Sequence, residues 1–280
     1  LETVIQAIST LREAGDKRNE GMHLGNLGNI YQQLGESERA MKALTEAVKV
    51  ARLVGDRRSE GAHLGNIGLI YQHRGDIDRA LEHYTLAVDI QREVGDKRTV
   101  GMNLGNIGNC YRLRGDSRRA IEFYTQSVEI AREIGLPRLE GISLGNIGDI
   151  QYQESRFDEA EGSFRASILI CDEACPPTAG AFRASLALLL SQNDRFDEAQ
   201  ALLEIGEPQV ATYPNELIKF VCKKGQVQLL AGEPEAAKRS VEQVEAVALE
   251  CKLDSKSESA QAILELVLLL KSLSAPSDGS

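Results

Sequence analysis

At 280 residues, 42% hydrophobic and 26% charged, the chain has the composition expected of a folded, soluble protein with ample material for a core. No apolar run approaches the roughly 20 residues that cross a bilayer, and Leu1 opens inside a helical pattern with no signal segment, as expected of a fragment of a longer protein. The net charge of −10 lies entirely beyond residue 140, where 12 Lys and Arg face 22 Asp and Glu, so the basic footprint of a nucleic-acid binder is missing and neither nucleic acid nor membrane is an expected partner.

Leu1 to Ala14 has the pattern of a single amphipathic helix. From residue 16 onward the sequence repeats itself: Leu24-Gly25-Asn26-Leu27-Gly28 returns as Leu64-Gly65-Asn66-Ile67-Gly68, Leu104-Gly105-Asn106-Ile107-Gly108 and Leu144-Gly145-Asn146-Ile147-Gly148, at a step of 40 residues. Each unit predicts two helices. Helix A runs from Asp16 to Leu34, with Asp16, Asp56 and Asp96 as N-caps, and ends at Gly35 or its equivalents Gly75 and Gly115. Helix B covers Glu36 to Val54 and stops at Gly55, then Gly95 and Gly135; its Ala40, Leu44, Ala47 and Val48 fall on one helical face. Five cysteines (Cys110, Cys171, Cys175, Cys222, Cys251) are odd in number and irregular in spacing, which predicts reduced thiols in a cytoplasmic protein.

The repeats resemble the tetratricopeptide-repeat family, in a 40-residue form with a Leu-Gly-Asn helix A. Counting each unit from Gly21, Gly61, Gly101 and Gly141 as position 1, Leu24 stands at position 4, Leu27-Gly28 at 7 and 8, Tyr31 at 11, Ala40 at 20 and Ala47 at 27. Two degenerate units follow. The fifth keeps Leu186, Ala187 and Ala199 but has Arg183 at position 4; the sixth keeps Val221, Gly225 and Ala237 but has Lys224 at position 7. The resemblance implies an all-α fold, a right-handed α-α superhelix of about six repeats with a C-terminal capping helix. A single solenoid over 1–273 is expected: 1–15 helix B of a truncated repeat, 16–175 four regular repeats, 176–256 two degenerate ones and 257–273 the cap. Residues 274–280 are expected to be a disordered tail.

At 100° per residue, positions 4, 7, 8 and 11 of helix A form a core stripe. Positions 2, 6, 9 and 13 lie opposite: Met22, Asn26, Asn29, Gln33; Ala62, Asn66, Leu69, His73; Met102, Asn106, Asn109, Leu113; and Ile142, Asn146, Asp149, Gln153. In proteins resembling this family that side lines the inner groove. Solvated helix faces favour Lys, Glu and Arg, and asparagine is a mediocre helix former, so four asparagines at position 6 need a reason. An amide carries an acceptor and two donors and pairs with both groups of an extended peptide backbone. Asn26, Asn66, Asn106 and Asn146 are therefore candidate peptide-binding residues, with Asn29, Asn109, Met22, Met102, Gln33, His73 and Asp149 beside them. The same asparagines also fit a hydrogen bond to a neighbouring helix, or a remnant of repeat duplication.

Gly25 and its equivalents lie on the flank between core and groove, where a bare backbone admits a neighbouring helix or a ligand. The carboxylate clamp of some tetratricopeptide domains would match at Asn29 and Asn66 but fails at Gly25, Met102 and Asn106. No phosphate loop, dinucleotide fingerprint or zinc-protease motif occurs, and no metal set completes around His23 and His63, so neither catalytic residues nor cofactor nor metal is assigned. The expected function is a non-enzymatic scaffold, monomeric or self-associating, that binds a segment of a partner protein. The alternative is a ligand- or peptide-sensing array controlling an effector domain, since the pattern is similar both to adaptor scaffolds and to bacterial signalling arrays.

Overall fold

A computed structural model describes residues 1–251 and 258–274, and among these there are fourteen α-helices and no strand. The residues gather into two compact units, Leu1–Leu139 and Glu140 onward. In the first are α1 (Glu2–Glu13), α2 (Lys17–Gln33), α3 (Ser37–Leu53), α4 (Arg57–His73), α5 (Ile77–Glu93), α6 (Lys97–Leu113) and α7 (Ser117–Glu133). The second holds most of α8 (Pro137–Gln153), then α9 (Phe157–Ala174), α10 (Pro176–Ser191), α11 (Phe196–Val210), α12 (Pro214–Leu230), α13 (Pro234–Glu250) and α14 (Glu258–Ser274). Each unit is a stack of helix-turn-helix repeats, the fold expected from the 40-residue period. Past Ser274, the expected tail lies outside the described residues.

The repeat boundary is one Gly-Asp pair. Gly15 takes a left-handed φ of +72°, which a glycine adopts without cost, and the Asp16 N–H turns back to the carbonyl of Leu11 at 3.0 Å. The Asp16 carboxylate then accepts from the Asn19 N–H at 3.2 Å and caps the next helix. One residue closes α1 and opens α2. Asp56 and Asp96 cap α4 and α6 in the same way, as the spacing predicts, and Asp76 and Asp116 also cap α5 and α7.

Within a repeat, helix A lies against helix B through the glycine at position 8. A Cβ on Gly28 would stand 2.5 Å from Leu44; on Gly68, 2.9 Å from Tyr84; on Gly108, 2.7 Å from Tyr124; on Gly148, 2.8 Å from Phe164. Three of these glycines make room for the largest fully buried side chains of the four regular repeats, Tyr84, Tyr124 and Phe164. The core stripe is buried as expected at Leu24, Leu27 and Tyr31. Tyr71 and Tyr111 are only half-buried, each under the guanidinium of a helix B arginine: Arg79 at 5.5 Å and Arg119 at 4.4 Å from the ring centres. In the degenerate part, α14 rests on α12, with Leu266 fully buried against Gly225.

Candidate functional site

In the first unit the A helices α2, α4 and α6 approach one another through a second set of glycines, at position 5. Gly25 and Gly65 each receive the residue at position 3 of the following repeat. A Cβ on Gly25 would stand 2.1 Å from Cε1 of His63, and one on Gly65 2.9 Å from Oδ1 of Asn103. Of the two visitors foreseen at Gly25, the neighbouring helix is the one present.

This close approach sets the geometry of the face that carries positions 6 and 9. Asn66 Nδ2 donates to Oδ1 of Asn29 in the preceding repeat at 2.8 Å. Position 9 of the second repeat is Leu69, which packs against the core and offers Asn106 no polar atom. Asn109 Oδ1 accepts from the Tyr124 hydroxyl at 2.6 Å, so helix B of its own repeat holds it. Asn26 and Asn29 are exposed, while Asn66, Asn106 and Asn109 are half-buried. Met22 and Met102 are 47% and 49% exposed, large for methionine on a face of amides. Gln33 and His73 are exposed at its far end.

In the second unit Asn146 and Asp149 are half-buried, and Asp149 Oδ1 accepts from the Ser185 hydroxyl at 3.2 Å. Lys223 Nζ also donates to Ser185 and lies 3.8 Å from Asp149. Ser185 and Lys223 occupy position 6 of the fifth and sixth repeats, the place the asparagines hold earlier. The core positions of those repeats do not point to either residue, although counting back one from Leu186, or two from Gly225, reaches them. Position 6 of helix A is thus an asparagine in each repeat of the first unit, whereas in the second unit it passes from Asn146 to Ser185 and the cation Lys223.

His63 is buried at 8% exposure, with Nε2 unpartnered among the described residues. Burial pushes its imidazole below the ordinary value, and Asp56 opposes the shift. A neutral histidine is therefore favoured in the folded state. Below the ordinary pKa of about 6.5 the unfolded chain takes up a proton that the folded chain refuses, so stability falls as pH drops through that value. His63→Asn, which copies the Asn103–Gly65 contact of the next repeat, is expected to flatten the stability–pH slope between pH 7 and 5. The slope lost is at most about 1.4 kcal/mol per pH unit. Denaturant midpoints at three pH values for both proteins measure it; parallel slopes would refute the assignment.

Among the described residues, no group of three His, Cys, Asp or Glu side chains converges, and no helix is long and apolar enough to cross a membrane.

Three models of the tetratricopeptide repeat match the chain, over residues 24–52, 59–133 and 180–204. No curated protein matches it by sequence. Among solved structures it is similar to BtubC (BKLC) from P. vanneervenii, at 18% identity, 79% of this chain, 94% of that one and a TM-score of 0.63. It is also similar to a Rap protein complexed with Competence and Sporulation Factor, at 17% identity, 91% and 76% coverage and a TM-score of 0.67. The apo form of RapI aligns at 17% identity, 90% and 93% coverage and a TM-score of 0.65. At such identities these likenesses show the fold.

Proposed function

We propose that this chain, a tetratricopeptide-repeat protein, is a protein-interaction scaffold that holds an extended segment of a partner protein along the amide-bearing faces of its A helices. The observation that carries this is the state of Asn66 and Asn106. Each is half-buried, neither is needed by the core, and Asn66 uses only one N–H, on Asn29, leaving its carbonyl and second N–H free to pair. The exposed Met22 and Met102 add adaptable apolar contacts at the ends of the same helical faces. A Rap protein of similar fold has been solved complexed with Competence and Sporulation Factor, which supports ligand binding by such an array. The same likeness supports a ligand-sensing array as the second reading.

The test is a peptide-display selection on the immobilised chain, followed by affinity and melting measurements on Asn66→Ala/Asn106→Ala. Alanine is the better helix former, so stability is expected to change by no more than about 0.5 kcal/mol despite the lost Asn66–Asn29 bond. Binding is expected to weaken by about 0.5–1.5 kcal/mol for each amide pairing removed. A stable double variant that binds the selected peptide undiminished would move the site off this face, and an unfolded one would make the ladder structural. Small-angle scattering on the complex separates the two readings: an unchanged radius fits a scaffold, and a global change fits a sensor.

A further inference from the structure

One residue before position 1, helix A carries Glu20 in the first repeat and Glu60 in the second. Both are buried, at 1% and 3% exposure. Each is gripped by two cations at 2.7 Å: Arg12 and Lys17 on Glu20, Arg52 and Arg57 on Glu60. The first cation of each pair ends the preceding helix, and the second begins helix A. In the third repeat both cations remain, as Arg92 and Lys97, but Val100 stands where the glutamate would be. Lys97 turns to Glu133. Arg92 is exposed and without an acidic partner among the described residues.

What remains at the turn between α5 and α6 is a cleft of about 240 Å³, lined among others by Gln91, Arg92, Lys97, Val100, Ile130 and Glu133. Gln91 is fully buried, its amide N–H donates to the Arg58 carbonyl at 3.0 Å, and its own carbonyl oxygen has no donor among the described residues. A buried acceptor left unpaired is costly, so something that brings an N–H is favoured there.

We propose that this cleft binds a carboxylate carried on a short apolar stem with an N–H beside it, taking the place that Glu20 and Glu60 fill from within. Glu133 offsets Lys97, and Arg92 leaves one positive charge to be met by one carboxylate. Val100 and Ile130 flank the stem, and the ligand N–H supplies the donor that Gln91 lacks. An acidic residue within a peptide and a free acidic amino acid both carry this chemistry. The site uses none of the amides at positions 6 and 9 and stands independently of the proposed peptide face.

The test is a titration of the whole chain followed by NMR of the arginine Nε–Hε groups and the Val and Ile methyls. The probes are acetyl-Ala-Glu-Ala-amide, free glutamate, and acetyl-Ala-Gln-Ala-amide as the uncharged control. Saturable shifts at Arg92, Val100 and Ile130 are expected with a glutamate-bearing probe, and binding at least about tenfold weaker for the control and for Arg92→Gln. Response to the peptide alone identifies a protein segment as the source, and response to free glutamate alone identifies a metabolite; either supports the site. Val100→Glu, which supplies the carboxylate from within, is expected to exclude both probes. Arg92 is exposed, so its variant keeps the test valid if Val100→Glu does not fold. Equal binding by the glutamine peptide or by Arg92→Gln, or no saturable shift up to about 10 mM of any probe, overturns the proposal.

Discussion

Asp172→Ala is expected to destabilise the second unit by about 3 kcal/mol, whereas Arg183→Leu, at the other end of the same ion pair, is expected to cost less than about 1 kcal/mol. Arg183 stands on α10 at a position where the repeat pattern wants an apolar side chain, and it is buried at 6% exposure. Nη1 and Nη2 reach the two oxygens of Asp172 on α9 at 2.6 Å each, and Nη1 also reaches Oε1 of Gln209 on α11 at 2.7 Å. The hydrogen bond from Arg183 is the main reason the Asp172 carboxyl is held below the usual carboxylate range. Removing the carboxylate strands a guanidinium that cannot shed its proton, with one amide for company. Breaking a buried pair in this way costs about 3–5 kcal/mol, and the lower end applies because Asp172 is itself 38% exposed on its side chain and water can enter. Leucine at 183 instead removes the buried charge together with its need for a partner and restores the apolar residue of the other repeats, while Asp172 turns to solvent. Denaturant unfolding followed by hydrogen exchange in α9 to α11 measures both, because a repeat array need not melt as one unit. A loss under about 1 kcal/mol for Asp172→Ala would mean that solvent already screens the pair.

What was legible in the sequence was whatever one repeat decides by itself. Gly15 and Asp16 announce a helix end because the left-handed turn and the cap are local, and their recurrence gave helix boundaries within a residue or two. Gly28 falls on the core stripe by periodicity alone, and its partner, Leu44, lies within the same repeat. Contacts that one repeat makes with the next were not legible. His63 had no role in the sequence, where no metal set completes around it, yet it fills the space above Gly25. Arg183 looked like a defect of a decaying repeat, yet Asp172 and Gln209, on the helices before and after it, make it a paired group. Among the asparagines, a bond to a neighbouring helix accounts in part for Asn66, whereas at Asn106 position 9 of the preceding repeat is a leucine. Ser185 and Lys223 were missed because core residues alone align the degenerate repeats, and their polar face is read only once the register is fixed.

The position-5 glycines make that inter-repeat packing measurable. Gly105 and Gly145 are equivalent residues one repeat apart, in α6 and α8, and alanine should act on them with opposite sign. A Cβ at Gly105 would meet only the Ser127 hydroxyl oxygen, at 3.6 Å, which is ordinary contact. With no clash to offset, Gly105→Ala is expected to stabilise by about 0.5–1 kcal/mol through helix propensity and the smaller entropy of the unfolded chain. A Cβ at Gly145 would stand 2.1, 2.2 and 2.5 Å from Cζ, Cε2 and Cε1 of Phe182. Phe182 is 7% exposed and stacked at 6.2 Å on Phe164, itself fully buried, so the ring cannot turn aside without disturbing a second aromatic. Overpacking of this kind costs about 1–3 kcal/mol, and a pinned aromatic belongs at the upper end. Against the gain of about 1 kcal/mol in propensity, Gly145→Ala is expected to destabilise by about 2 kcal/mol. Shortening the intruding side chain should recover part of that loss: Phe182→Leu is destabilising in the parent but less so beside Gly145→Ala, the coupling expected of residues in contact. Guanidinium unfolding of the two single variants and the Gly145/Phe182 cycle tests this directly. If Gly145→Ala stabilised as Gly105→Ala does, the glycine at this position would be a relic of repeat duplication, and the helix-on-helix contact at Phe182 would be looser than its distances imply.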